Sequence, residues 1–383
     1  MRKCYIYCNL LLILSFPIVA QEISGYVGGM PSLIVQLPDA ELWWQTLVHN
    51  RLNFNWQLSK NVRFDVGMRN RVIAGSGTML NAKFLKTDPG WAQLSWNWVD
   101  AETRRSTSLL GNTSFDRLNI TFEKDNWKLQ AGRQRINWGQ TFVWNPNDIF
   151  NTYSFFDFDY PERPGCDALR GTFYHHATRS TELAVSVNHY SKTTAALMHR
   201  WNHNNVDYQL IAGEQAESDM VIGGALTSDF SGLSFRSELS YFHPFKNLSD
   251  TSGIIAASAG LDYIFPQALM LQVEVLYNNV NKIFSDGGFM GLYATPLSAK
   301  YLSICDWNIF TQASYPITPR LNGSLSGMYF VDIQSCYAGL SINYSVIENL
   351  DFSFIAQYFS TLTNSKLGNM QMLMAFARLK YSF

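Results

Sequence analysis

Hydrophobic and polar residues alternate with a period of two along nearly the whole chain. Val62, Phe64, Val66 and Met68 share one face while Arg63, Asp65, Gly67 and Arg69 share the other, the pattern of a strand with one apolar and one polar side. Leu52, Phe54, Trp56 and Leu58 alternate likewise with Arg51, Asn53, Asn55 and Gln57, and Leu118, Ile120 and Phe122 with Arg117, Asn119, Thr121 and Glu123. Leu271, Val273, Val275 and Tyr277 face away from Gln272, Glu274 and Asn278, and Leu373, Ala375, Ala377, Leu379, Tyr381 and Phe383 oppose Arg378 and Lys380. Short turns such as Ser59-Lys60-Asn61, Lys124-Asp125-Asn126, Thr178-Arg179-Ser180 and Asn204-Asn205 separate these runs, with no convincing amphipathic helix between them.

Alternation alone does not separate a soluble sandwich from a membrane barrel. Here it fills the mature chain, its apolar face gathers Trp, Tyr and Phe near strand ends as interfacial girdles require, and the chain closes on Tyr381-Ser382-Phe383. A last strand ending in an aromatic residue resembles the signal read by the outer-membrane assembly machinery, with Phe383 and Tyr381 as its residues. The expected fold is therefore all-β, a single transmembrane antiparallel β-barrel over residues 21–383. Parity supports it. With both termini in the periplasm and short turns there, the hairpins at 59–61, 124–126, 178–180, 265–267 and 347–349 fall on one side. The count is about 20 strands if 24–35 and 103–110 both qualify, and about 18 if that region is irregular. The connections 75–89, 244–251, 281–299 and 361–369 lie outside, and the longest, 138–166, lies outside or folds into the lumen.

Arg2 and Lys3 precede an apolar stretch through Leu10–Leu14, Phe16 and Val19 that closes on Ala20, the order of a secretory signal cleaved after residue 20. No later stretch is apolar for the 18 or so residues a membrane helix needs. A formal charge of −1 gives no basic footprint for nucleic acid. Cys166, Cys305 and Cys336, odd in number and widely spaced, make neither a disulfide framework nor a metal knuckle, and no cofactor is expected. The seven histidines form no recognised pairing with a serine or acid and no Gly-x-Ser-x-Gly elbow occurs, so the chain is not read as an enzyme.

A barrel of this size holds water. Arg51, Arg63, Arg69, Arg71, Arg117, Arg170 and Arg236 are expected to point inward with Asp65, Glu123, Glu182, Glu238 and Glu274. Two readings stay open: the charges neutralise one another across the wall, or they form a solute ladder. The arginine excess over 51–71 favours anionic or polyhydroxylated solutes, because a guanidinium pairs bidentately with carboxylate and phosphate.

One stretch carries a family resemblance. Gly132-Arg133-Gln134-Arg135-Ile136-Asn137-Trp138-Gly139-Gln140, then Trp144-Asn145-Pro146-Asn147-Asp148, then Arg163-Pro164-Gly165-Cys166-Asp167-Ala168-Leu169-Arg170, resembles the alginate-export-type and related porin-like outer-membrane barrels. The resemblance implies a monomeric barrel of about 18 strands with a hydrated, charged lumen, and carries over no substrate. Strict alternation from Trp127, Leu129 and Ala131 would aim Arg133 and Arg135 at lipid, at about 2–4 kcal/mol each near the midplane; a bulge at Gly132 would turn both inward. Arg133, Arg135 and Arg170, with Arg63, Arg69 and Arg71, are the candidate lumen contacts. Asp148, Asp157 and Asp159 are the candidates on a loop that either constricts the pore or lids its rim. The expected function is a porin-like channel passing a small polar or anionic solute or saccharide; the alternative is a non-conducting barrel serving as scaffold or accessory in surface assembly or secretion. Expected partners are outer-membrane lipid and lipopolysaccharide, the assembly machinery and the solute, and no nucleic acid.

Overall fold

Runs that alternate Val, Leu, Phe and Trp with polar residues leave the backbone one economical way to satisfy its amides, which is to pair with neighbours in a sheet. The computed structural model describes residues 21–37, 41–76, 88–102, 108–153, 155–156, 162–246, 252–279, 298–361 and 370–383. The expected signal segment and the aspartates Asp157 and Asp159 lie outside them.

Five strands open the chain: β1 (Gln21–Leu37), β2 (Glu41–Ser59), β3 (Val62–Gly75), β4 (Ser95–Glu102) and β5 (Ser108–Lys124). β6 (Trp127–Gln134) and β7 (Cys166–His176) flank the longest described connection. β8 (Arg179–Val187), β9 (Thr193–His203), β10 (Val206–Gln215), β11 (Asp219–Phe230) and β12 (Leu233–Pro244) follow as a meander. β13 (Ile254–Ile264), β14 (Met270–Asn278), β15 (Trp307–Thr318), β16 (Leu321–Phe330), β17 (Ser335–Ile347), β18 (Leu350–Thr361) and β19 (Gln371–Ser382) complete it.

Pairing is antiparallel throughout, and β1 meets β19 from Tyr26↔Ser382 to Leu37↔Gln371, so the sheet closes on itself. Eighteen strands make the ring, because β3 pairs directly with β5 and β4 pairs with β5 alone. β4 lies along Ser108–Ser114 of β5 and β6 along Leu118–Lys124. The two short strands thus occupy successive lengths of the same edge. The turns 60–61, 125–126, 177–178, 204–205, 231–232, 319–320 and 348–349 share the end that holds Gln21 and Phe383, as the parity argument requires.

The outward residues of each strand form an apolar band in which Leu169, Leu325 and Ile222 are 66, 62 and 55% exposed. Trp44, Tyr241, Trp307 and Tyr358 edge it at one level and Trp127, Tyr315, Tyr344 and Tyr381 at the other. A closed sheet with such an exterior is the form a β-protein takes in lipid.

The expected bulge at Gly132 is displaced. The β5–β6 ladder runs through Asn119↔Gly132 without a shift, and the irregularity falls on β5, where Gly67 and Met68 face Arg117 and Phe115 and Asp116 is extra. Gly132 instead adopts φ +109°, and a Cβ there would stand 2.3 Å from the Leu118 carbonyl oxygen; only glycine fits.

Candidate functional site

The described parts of the connection between β6 and β7, residues 135–153, 155–156 and 162–165, fold into the lumen and are fastened to inward-facing polar residues on alternate strands. Glu182 of β8 accepts the Trp138 indole N–H at 2.6 Å, together with Arg170 at 2.6 Å and the Thr172 hydroxyl at 3.1 Å. Gln209 of β10 donates to the Trp138 carbonyl at 2.8 Å. Glu238 of β12 accepts backbone N–H groups from Gln140, Thr141 and Asn147, the last two at 2.7 and 2.8 Å. Glu274 of β14 accepts those of Phe142, Val143 and Trp144 at 2.9, 3.0 and 2.8 Å. Asn147 adds a bond to the Gly224 carbonyl and receives one from Ser240. Hydrogen bonds to a charged acceptor are stronger than neutral ones, and a buried carboxylate without donors would be costly. Wall and loop therefore satisfy each other.

Apolar contacts extend the attachment. Phe155 packs edge-on to Phe310 at 4.9 Å between centroids, and Phe156 meets Tyr337 and Phe359 at 5.2 and 5.4 Å. Trp138 meets Phe150 at 4.9 Å within the loop. Ile136, Val143, Trp144 and Ile149 join inward residues such as Phe242 and Leu276 in one buried cluster. The loop thus lines the wall from β8 round to β18.

Opposite, β2, β3 and β5 carry a group of arginines, and Glu162 of the loop reaches this sector, 3.3 Å from the Tyr26 hydroxyl of β1 and 4.0 Å from Arg51. Arg51 and Arg69 stand opposite each other across β2 and β3. Like charges side by side need an acid, and Arg51 ion-pairs with the bulged Asp116 while Gly67 clears the space: a Cβ there would lie 2.5 Å from the Arg51 Nη2 and 2.7 Å from the Asp116 Oδ1. Arg69 lies 3.3 Å from His49 Nδ1 and Arg71 donates to Asn112 at 2.9 Å. Arg63, with a side chain 45% exposed, lies 3.0 Å from Asp65. Arg63, Arg117 and Arg135 surround a polar niche of about 390 Å3 shared with Asn53, Asn55 and Gln130. From the loop side, Glu162 and Arg163 offer carbonyls to Arg117, and the Arg163 guanidinium sits 3.7 Å from the Tyr153 ring centre.

The candidate residues therefore separate into distinct environments. Arg63 and Arg135 border the niche, and Arg135 also lies 5.8 Å from the Tyr153 ring. Arg69 and Arg71 stand on the basic sector in the bonds just described. Arg170 holds Glu182, an anchor for the loop. Arg133 has a side chain 3% exposed, clamped by Asp88 and Asp167, each at 2.7 Å, beneath Gly90, where a Cβ would clash at 2.0 Å. The segment before β4 closes over the top of β6 and β7 there, and Ala92 N–H donates to Asp167 at 2.7 Å. Asp148 is fully buried in the loop, and burial pushes its carboxyl up to about 7, with Arg135 opposing the shift.

Sequence reading placed Glu182, Glu238 and Glu274 inward but sought their partners among arginines across the wall. Backbone amides leave no mark on residue type, so the partnership of Glu238 and Glu274 was hidden. Cys166, Cys305 and Cys336 are free, and among the described residues no group of three or more His, Cys, Asp or Glu is placed to hold a metal.

No family model matches the chain, and no curated protein does. Solved structures do. Pseudomonas aeruginosa OccK7 (OpdD) superimposes with a TM-score of 0.56 over 95% of this chain and 99% of its own at 9% identity. P. aeruginosa OprD gives 0.58 over 95% of each chain, and Acinetobacter baumannii OccAB1 gives 0.57 over 94% and 97%, both at 9% identity. The narrower resemblance to alginate-export-type barrels finds no support among these neighbours. At such identities the likeness shows the fold: a closed, all-β antiparallel barrel of the kind found in these outer-membrane proteins.

Proposed function

We propose that this chain is an outer-membrane channel for small polar or anionic solutes, with the loop 135–165 as its constriction and the basic sector of β2, β3 and β5 as the wall along which solute passes. The observation that carries this reading is the asymmetry of the lumen: the loop is fastened along β8 to β18, while Arg63 and Arg117 opposite border a polar niche with Arg135, and Arg51 and Arg69 lie buried in the wall behind it. A narrow hydrated passage with an excess of one sign of charge raises the local concentration of counter-ions and selects by charge. Arg63 and Arg135 are the residues proposed to meet solute, and Arg69 and Arg71 to maintain the potential. The similar barrels include one described as the outer membrane protein OprD, which agrees with this location. Export by residues 1–20 and recognition of Tyr381 and Phe383 by the assembly machinery belong to the same reading. Phe383 and Gly25 exchange backbone hydrogen bonds at 2.9 Å, so the aromatic terminus completes the seam that closes the barrel.

Reversal potentials across planar bilayers under a potassium chloride gradient test the reading. The wild type is expected to prefer chloride, and Arg63→Glu with Arg135→Glu to shift the preference toward potassium. A second reading, a non-conducting scaffold, is favoured by the apolar packing of Phe155 and Phe156 across the lumen; bilayers that stay silent with folded protein would select it.

A further inference from the structure

Outside the lumen, at the level of the aromatic band nearest the termini, six rings follow one another along the outer wall. Trp127, Phe173, His175, His199, Trp201 and Tyr208 have successive centroid separations of 4.8, 4.8, 5.7, 5.7 and 5.3 Å. Two of the six are imidazoles, which are poor choices for a girdle whose purpose is apolar contact. Hydrogen bonds join them. Arg179 Nε donates to His199 Nε2 at 3.2 Å, and the Thr181 hydroxyl lies 2.8 Å from both His199 Nδ1 and His175 Nε2. A hydroxyl has one proton, so the network assigns the protons in sequence. His199 Nε2 accepts from arginine, His199 Nδ1–H donates to Thr181, and Thr181 donates to His175 Nε2. His175 Nδ1–H and the Nη groups of Arg179 are then left as donors facing outward. Arg179 is exposed, and Leu183, Leu197 and Leu210 on the same outer face are 53, 47 and 56% exposed.

Trp201 stands across the ladder from Arg179 and stacks on Tyr208. Both also border an apolar groove of about 810 Å3 that runs over the outer face of β10 to β14, with Gly224, Ala257 and Ala259 on its floor and Tyr277 and Trp307 at its far end. Small outward residues on strands otherwise carrying Leu, Val and Tyr make the depression. A guanidinium and an imidazole N–H donor at headgroup level thus continue into an apolar channel one side chain away.

We propose that this surface binds an anionic phospholipid of the periplasmic leaflet, with its phosphate on Arg179 and His175 and an acyl chain along the groove past Trp201 and Tyr208. The proposal rests on the membrane reading above but not on conduction. Planar guanidinium donors suit phosphate oxygens, and neutral outer-face residues would have served for zwitterionic lipid.

The test is native mass spectrometry of the detergent-folded protein titrated with phosphatidylglycerol and, separately, phosphatidylcholine, both palmitoyl-oleoyl. Wild type is expected to retain phosphatidylglycerol severalfold better. Arg179→Ala with His175→Ala should abolish the preference while leaving phosphatidylcholine retention unchanged. Ala257→Leu with Ala259→Leu, which fills the floor, should weaken retention of both. Heat-modifiable migration and bilayer conductance report the fold and the channel separately in every variant. Absence of preference in the wild type, an unchanged preference after the first pair, or a dimer abolished by the second pair in place of lipid loss, would each overturn the proposal. A wild type without a heat-modifiable barrel would overturn it together with the membrane reading, whereas lipid preference without conductance would uphold it and sink the channel.

Discussion

Glu238 on β12 accepts the backbone N–H of Thr141 at 2.7 Å, ninety-seven residues away in the chain. With the amides of Gln140 and Asn147 on the same carboxyl, a single side chain of the wall fixes a turn of the loop. Charge-assisted bonds contribute about 1.5–3 kcal/mol each. Glu238→Gln keeps one acceptor oxygen but turns an NH2 toward amides that also donate. It is expected to increase current fluctuations in single-channel records while heat-modifiable migration stays intact, because the ring of paired strands is untouched. Records as quiet as the wild type would show that Glu274 and the aromatic contacts hold the loop without it.

Arg133 and Arg135, two residues apart, should respond oppositely. Arg133→Met leaves the buried Asp88 and the partly buried Asp167 without their cation, and breaking a buried pair costs about 3–5 kcal/mol, so folded yield and the temperature of barrel unfolding should fall while ion selectivity is kept. Arg135→Glu should alter selectivity with little effect on unfolding. A selectivity change from Arg133→Met as large as that from Arg135→Glu would contradict the separation of their environments.

Much of the barrel was legible in the sequence because lipid enforces it: Val62 to Met68 and Leu271 to Tyr277 cannot hide a period-two code when one face meets hydrocarbon. The arginines of 51–71 were legible for the same reason, being unaffordable on that face. The pairing of Arg133 was illegible because Asp88 and Gly90, which surround its guanidinium, lie far off in sequence. The attachment of the loop was illegible because its donors are backbone amides, which every residue but proline carries.

Asp148 gives the loop a pH dependence. Burial holds its folded value near 7, above the ordinary 3.8, so between about pH 4 and 7 the folded loop retains a proton that the unfolded chain lacks. Stability from this group is therefore greatest at low pH and is lost as pH rises toward about 7. Unfolding of the heat-modifiable form at pH 5 and pH 8 checks this: Asp148→Asn should flatten the difference, and a wild-type difference that survives the substitution would assign the dependence elsewhere.

Phe383 closes the seam with Gly25. Its deletion removes two backbone bonds and the aromatic end of β19, and is expected to lower the amount of assembled barrel in the outer-membrane fraction without lowering export. Equal assembled amounts would leave the terminus with no role in assembly.

The most direct test of the central claim, that the loop narrows a basic passage, is the single-channel conductance of Glu238→Ala with Glu274→Ala, compared with the wild type in the same bilayer. Six backbone amides of the loop lose their acceptors in that variant. The loop should then leave the wall, raising conductance severalfold and weakening anion preference as the passage widens away from Arg63 and Arg135. A folded variant whose conductance and selectivity match the wild type would contradict the account.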